Sequence, residues 1–486
     1  MNPAELPTIA GDPWAIGTFV VYFLVIVAIG VLTSRFSSSA QANFLLGGRK
    51  MKTLVVALSA VVSGRSAWLL LAVSGVAFLR GASAIWMVAG YTVVELLLFR
   101  TVARRLRRDT EARGDITIPD YLASRFGDRF HLLRTVAVLI IVVFMVTYIG
   151  AQIVAGGKAL GATFGIQDWI GALITGGVIL IYTTLGGFLA VSLVDAMQAF
   201  IMIFALVGLP LMAMLGAGGP GEIVAALNPA MLDPFALTMG MMIGWVGIGL
   251  GSPGNPHIIV RYMSIENEAK LKRAGWIGFF WNCVMGVGAV SIGVIGRAIY
   301  KTREALPGAD EETIFPMLAG QLPPLLFGLV IAAIFAAIMS TADSQLLVAA
   351  SAAIRDFYQR IVRGGRELPE RRMVMLNRLA VIVLCGISVL ISIFGSQYIN
   401  FLVLLAWTGL GCSFGPPVIL GLYWRRCTRW GALAGMLAGA ATTFVWGLNP
   451  GLKAVIHEIV PAFFASLIFT VVVSLLTHRQ TTQSQV

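Results

Sequence analysis

Gly247-Ile248-Gly249-Leu250-Gly251-Ser252-Pro253-Gly254-Asn255-Pro256 interrupts an otherwise apolar run over 236–259. Four glycines and two prolines in ten residues cannot continue a regular helix, because proline removes a donor and clashes with the preceding turn while glycine resists ordering. An earlier apolar run, 52–79, carries Ser63-Gly64-Arg65-Ser66 at its middle. Irregular backbone at membrane depth is tolerated only where protein or a cavity covers it. Both stretches therefore predict discontinuous helices whose freed carbonyls and half-helix ends face an internal site.

The surrounding composition requires a membrane. The 486 residues are 58% hydrophobic and only 12% charged, with mean hydropathy +0.87, whereas a soluble surface needs about twice that charged fraction. Continuous apolar stretches such as Val136 to Val146 lack the strict alternation of barrel strands, so the fold class is all-α integral membrane. About thirteen spans are expected, at 14–36, 52–79, 82–103, 134–161, 167–188, 190–216, 236–259, 270–300, 323–353, 375–397, 399–424, 430–447 and 456–477. The first lacks a basic leader and runs into a basic stop at Arg35, which favours a retained span over a signal peptide. One transmembrane domain over 1–486 is expected, since the longest polar stretches are too short to bury a core.

Net charge is +12, and its placement explains it. With the N-terminus outside, 28 of the 35 Lys and Arg fall on inner segments and six on outer ones. That bias is the positive-inside rule and predicts an N-out, C-in orientation with no nucleic-acid partner. Cys283, Cys385, Cys412 and Cys427 lie in or beside apolar spans with no CxxC spacing and read as small buried hydrophobes.

The two interrupted spans stand five spans apart. Two inverted five-helix repeats, 52–216 and 236–424, followed by C-terminal helices over 430–477, would put them in corresponding positions. Glycine runs also serve close helix packing, which is the competing reading of the same residues.

Several ordered motifs then converge: Asn43-Phe44-Leu45-Leu46-Gly47-Gly48-Arg49, Leu185-Gly186-Gly187-Phe188-Leu189-Ala190-Val191-Ser192 with Asp195 and Gln198, Pro256-His257-Ile258-Ile259-Val260-Arg261-Tyr262-Met263, Met339-Ser340-Thr341-Ala342-Asp343-Ser344-Gln345-Leu346-Leu347 and Ala432-Leu433-Ala434-Gly435-Met436. Together they resemble the sodium:solute symporter family over nearly the whole chain, with its bacterial proline carriers the most similar members. The resemblance implies a LeuT-like fold with an extra N-terminal helix, alternating access and solute uptake driven by sodium. It implies a sodium site formed by the Ser340 and Thr341 hydroxyls with carbonyls from Ala337, Val62 and Arg65, and Asp195 near the ion's inward exit. Hydroxyls and freed carbonyls suit a hard cation without adding a second full charge, although Ser and Thr in membrane helices also bond back to the preceding turn. For the solute, the resemblance points to Ser63, Ser66, Trp68, Tyr148, Ser252 and Pro256. Asp343 is a further carboxylate in an apolar span, read either as a site group or as a solvated helix end.

The chain departs from this pattern at one place above all. Proline carriers of the family read Ser-Asp-Met-Ser-Gly-Trp where this chain reads Ser63-Gly64-Arg65-Ser66-Ala67-Trp68, a change of two charge units toward positive beside the ion site. A like charge at about 4 Å costs about 4 kcal/mol at an effective dielectric of 20. Arg65 is therefore expected either to turn away, toward Asp195 or a water-filled vestibule, or to stand in for the ion. Ser252 and Ile248 also replace two aromatics of the proline carriers, which leaves a wider or less apolar pocket.

The sequence thus predicts no enzyme but a secondary active transporter of the bacterial inner membrane, in which one chain suffices for uptake of proline, another amino acid or a related carboxylate. The alternatives are a sodium-independent or proton-linked carrier in which Arg65 replaces Na⁺, and a non-transporting sensor that keeps the carrier fold. No metal is expected beyond the sodium site.

Overall fold

The computed structural model describes residues 12–37, 40–395 and 398–483, and the last two residues of the expected span 375–397 lie outside them. Among the described residues there are no β-strands, only an isolated parallel bridge between Met51 and Ile265. The main helices are α1 (Pro13–Ser37), α2 (Thr53–Ala67), α3 (Ser74–Arg80), α4 (Ile85–Arg100), α5 (Leu132–Phe164), α6 (Asp168–Gly216), α7 (Met239–Gly247), α8 (Pro256–Ser264), α9 (Leu271–Tyr300), α10 (Pro324–Ser351), α11 (Glu370–Phe394), α12 (Ile399–Tyr423), α13 (Arg429–Gly447) and α14 (Ile459–Gln483). By length and apolar composition, nine helical stretches among the described residues can cross a membrane.

Burial sorts these helices into an inner and an outer set. The apolar windows of α10 and α12 are 83% and 94% buried inside the protein, whereas those of α1, α11 and α14 are only 22%, 33% and 28% buried. The outer helices expose large apolar side chains such as Leu32, Phe394 and Leu476, which lipid solvates at no cost. At the centre, α10 packs against α6, α5, α2 and α1.

Both expected interruptions are present. The helix α2 is broken at Ser66, one residue before its end, where φ of 53° and ψ of −175° leave helical space, and a wider π-type turn over Trp68–Val73 leads into α3. This break falls one residue after the Ser63–Arg65 stretch. The second interruption runs from Ile248 to Gly254 as tight turns, then Asn255 is extended before Pro256 opens α8, as a residue preceding proline prefers. Here α12 crosses so closely that a Cβ at Gly251 would overlap the Trp407 indole.

The expected spans 167–188 and 190–216 form parts of one helix, α6, of 49 residues. A straight helix of that length would reach about 73 Å, more than twice a hydrocarbon core of about 30 Å. Gly187, at φ 59° and ψ −162°, breaks its direction where the two spans were expected to meet. A Cβ at Gly187 would come 2.8 Å from Phe44 Cδ2 and 3.1 Å from the Phe44 carbonyl oxygen. Gly187→Ala is therefore expected to destabilise by about 1–3 kcal/mol through left-handed strain and contact, lowering the thermal unfolding midpoint in detergent. Gly177→Ala, at a helical position with nothing within 4 Å, is the control, and equal midpoints for the two variants would refute this account.

Candidate functional site

The break in α2 presents backbone oxygens to α10. Ser340 and Thr341 are fully buried; the Ser340 hydroxyl lies 3.4 Å from the Val62 carbonyl and 3.2 Å from that of Ala337, and the Thr341 hydroxyl donates to the Ser63 carbonyl at 3.0 Å. The Ala67 N–H, which a continuous helix would direct at Ser63, bonds Gln152 Oε1 of α5 at 3.0 Å. Two hydroxyls and three carbonyls thus converge beside an interrupted helix, a set of neutral oxygens suited to a hard monovalent cation. Of the residues expected at this site, Val62, Ala337, Ser340 and Thr341 come together. Ser63, expected on the solute side, joins them through its carbonyl.

Asp195 borders the same cluster, but its partner is not the expected one. Its Oδ2 accepts from Arg261 at 3.0 Å, from the Ser59 hydroxyl at 2.6 Å and from the Ser63 hydroxyl at 3.2 Å. The Arg261 guanidinium also bonds the Ser344 hydroxyl and the His257 carbonyl, and its Nε donates to Ser59 at 2.7 Å. Arg261, two residues beyond the expected span 236–259, is a core residue. Asp343 is equally buried and accepts from Tyr182 at 2.5 Å and Ser344 at 2.9 Å, so it is no solvated helix end.

Arg65 departs most from expectation. It is buried, yet it neither meets Asp195 nor reaches a vestibule: its Nη2 pairs with Glu95 Oε1 of α4, its Nε donates to Asn282 Oδ1 of α9 at 2.8 Å, and its guanidinium stacks 3.5 Å over the Tyr91 ring. The positive charge introduced beside the ion site is matched by a carboxylate 30 residues on. The Arg65 carbonyl accepts from the Trp68 N–H. Glu95 and Asn282 were missed in the sequence reading, although polar residues in the apolar runs 82–103 and 270–300 were a signal that they had partners.

On the other side of the break, the Ser66 hydroxyl accepts from the Trp68 N–H at 3.1 Å and lies within hydrogen-bonding reach of the Tyr148 side chain. Tyr148 meets His257 edge to face at 6.0 Å. The Trp68 indole donates to Asn400 Oδ1 at 2.9 Å. Glu312 covers this end: its carboxylate takes Lys158 Nζ at 2.8 Å and the Asn400 N–H at 3.0 Å. Burial pushes the Glu312 carboxyl above its usual range against the pull of Lys158. Pro256 lines a narrow crevice with Ile141, Phe188 and Leu347. Ser252 lies in the interruption between α7 and α8, packed against α12, and no hydrogen bond among the described residues joins it to Ser66 or Tyr148. The Ser252 hydroxyl, Gln152 Nε2, Asn255 Oδ1 and the Thr408 hydroxyl are buried with no partner among the described residues.

A model of the Sodium:solute symporter family matches residues 44–439. The chain belongs to that family. It is 40% identical over 468 residues to the osmoregulated proline transporter OpuE of Bacillus subtilis (strain 168), covering 94% of both chains. It is 41% identical over 447 residues to the high-affinity proline transporter PutP of the same organism, covering 91% of this chain and 94% of the relative. Against the sodium/proline symporter of Staphylococcus aureus (strain JH9) identity is 38% over 474 residues, with 94% and 92% covered. A Na⁺-coupled sialic acid symporter, solved in a substrate-bound outward-open state, shares the fold at TM-score 0.81 and 18% identity over 95% of this chain and 97% of its own. The all-helical LeuT-like architecture is thereby borne out. This member of the sodium:solute symporter family is a multi-pass membrane secondary transporter, not an enzyme.

Within this symporter the Asp195–Arg261 pair is fully desolvated, so removing one partner leaves a bare buried charge worth about 3–5 kcal/mol of destabilisation. Asp195→Asn is expected to lower the unfolding midpoint, and Asp195→Asn/Arg261→Gln to lower it by less than the two single effects combined. A strictly additive cycle would show that the pair is not coupled.

Proposed function

We propose that this chain takes up proline, or an amino acid close to it, by alternating access with sodium entering on the same gradient-driven cycle. The observation that carries the reading is the pair of buried hydroxyls, Ser340 and Thr341, set against the carbonyls of Val62, Ser63 and Ala337 at the break in α2. Sodium would take those five oxygens, with Asp195 next to them on its inward route. Neutral oxygens hold a monovalent cation without trapping it, as a carrier requires.

The solute reading draws on the three proline-transporting relatives and on the polar groups left open near the interruptions. Gln152 Nε2, Ser66 and Tyr148 border the broken end of α2, and Trp68 offers an aromatic face to a small ring or a secondary ammonium. The N-terminal end of α8 at Pro256 carries a positive dipole suited to a carboxylate. Unpartnered buried polar groups call for a ligand or water, which a solute pocket supplies. Neutralisation of Arg65 by Glu95 removes the reason to assign a sodium-independent cycle.

The same reading takes 52–216 and 236–424 as the inverted repeats and 430–477 as an added pair of helices. It sets the N-terminus outside and the C-terminus in the cytoplasm of a bacterial inner membrane, in line with the excess of Lys and Arg on the inner segments. One chain acts as the transport unit.

Uptake of labelled proline into proteoliposomes is expected to rise steeply with an inward sodium gradient and not with an equal potassium gradient. Ser340→Ala and Thr341→Val each remove one oxygen from a charged ligand, about 1.5–3 kcal/mol, so the half-saturating sodium concentration should rise about 10- to 100-fold. The solute KM at saturating sodium should move far less. Proline uptake indifferent to sodium would refute the coupling, and absence of proline uptake alongside uptake of another solute would refute the substrate.

A further inference from the structure

Arg65, Glu95 and Asn282 close a ring. Arg65 Nη2 meets Glu95 Oε1, Asn282 Nδ2 donates to Glu95 Oε2 at 2.8 Å, and Arg65 Nε donates to Asn282 Oδ1 at 2.8 Å. All three side chains are buried, and Tyr91 forms one wall under the guanidinium at 3.5 Å. The ring ties α2 to α4 and α9, which also pack against one another.

Its position along α2 gives it a second role. Arg65 is two and three residues beyond Ser63 and Val62, whose carbonyls face Thr341 and Ser340, and it immediately precedes Ser66 at φ 53°. A non-glycine residue in left-handed space persists only where the surroundings over-determine it. The ring holds the last helical residue before that strained point from the face turned away from α10. A guanidinium fork meeting two acceptors fixes direction as well as charge, which an ammonium cannot do.

The neighbouring glycine fits the same picture. A Cβ at Gly64 would lie 3.4 Å from Glu95 Oε1 and 3.0 Å from Ile258 Cδ1. A carboxylate at position 64 would therefore crowd Glu95 and compete for the same guanidinium, so the two acids exclude each other.

We propose that Arg65, Glu95 and Asn282 are positioning residues that clamp the broken end of α2 and thereby set the affinity of the transporter for its coupling cation through the Val62 and Ser63 carbonyls. The clamp is electrically neutral, so it acts by geometry and not by adding charge to the site. This rests on the sodium reading given above.

The test is the sodium dependence of proline uptake in proteoliposomes for Arg65→Lys, Asn282→Ala and the charge-free pair Arg65→Met/Glu95→Gln. Each is expected to raise the half-saturating sodium concentration about tenfold while the solute KM at saturating sodium stays within about twofold. If charge balance alone mattered, Arg65→Lys and the charge-free pair would match the unmodified protein, and that result overturns the clamp. Equal losses in sodium and solute affinity would overturn it too, since they mark general damage. If the charge-free pair does not fold, Arg65→Lys and Asn282→Ala still decide. Gly64→Asp alone should weaken the sodium response, whereas in the Glu95→Gln background it should recover part of it by giving Arg65 a new acid; no recovery counts against the ring. An unmodified protein that ignores sodium would bring down the coupling reading and the clamp together, whereas a sodium-responsive protein whose variants do not shift brings down the clamp alone.

Discussion

Backbone polarity in a medium that cannot solvate it is the constraint on which this structure depends. Breaking α2 at Ser66 frees carbonyls that would cost several kcal/mol each if they met lipid. The protein answers by burying the break at its centre, against the most enclosed helices, and by supplying partners: Thr341 for the Ser63 carbonyl, Ser340 beside Val62, and Gln152 for the Ala67 N–H. The groups that satisfy the break without a ligand are also the groups that suit a cation. The outer ring of α1, α11 and α14 needs only to be apolar, and its sequence asks nothing finer of it.

Charge follows the same rule. The broken segment of α2 lies between two neutral buried pairs, Arg261–Asp195 and Arg65–Glu95, each with a further hydrogen bond from the guanidinium Nε. Neither pair is a strong source of stability, because desolvation offsets much of the attraction; what such pairs supply is direction. A third cluster lies where the short helix Ile118–Phe126 meets the start of α5 and the turn beyond α10. There Arg134 bonds Asp120 at 2.7 Å and Asp356 at 2.6 Å, and Arg355 bonds Asp120 at 2.6 Å. Burial raises the Asp120 carboxyl, but Arg355 and Arg134 outweigh it and hold it below its usual range.

Membrane class, all-helical fold and the two interruptions were legible in the sequence because each follows from local chemistry: long apolar runs, and Gly, Pro and Ser where a helix cannot continue. The hydroxyl pair Ser340-Thr341 was legible through its motif. The partners of the buried charges were not. Arg65 finds Glu95 30 residues away and Asn282 217 residues away, and nothing along the chain ranks those over Asp195, which motif placement favoured. Ser63 shows the same limit on a smaller scale, since its neighbours suggested a solute contact while the turn of α2 directs its carbonyl to Thr341.

Residue type and order therefore determined that this chain spans a membrane, where its helices break and which oxygens suit a cation, since these depend on what each residue can do in hydrocarbon. Only the tertiary structure decided which face of α2 each residue of 62–66 presents. A helix separates successive side chains by about 100°, so Ser63 and Arg65 serve opposite neighbours, and the neutrality of the ion site depends on which helices stand on either side.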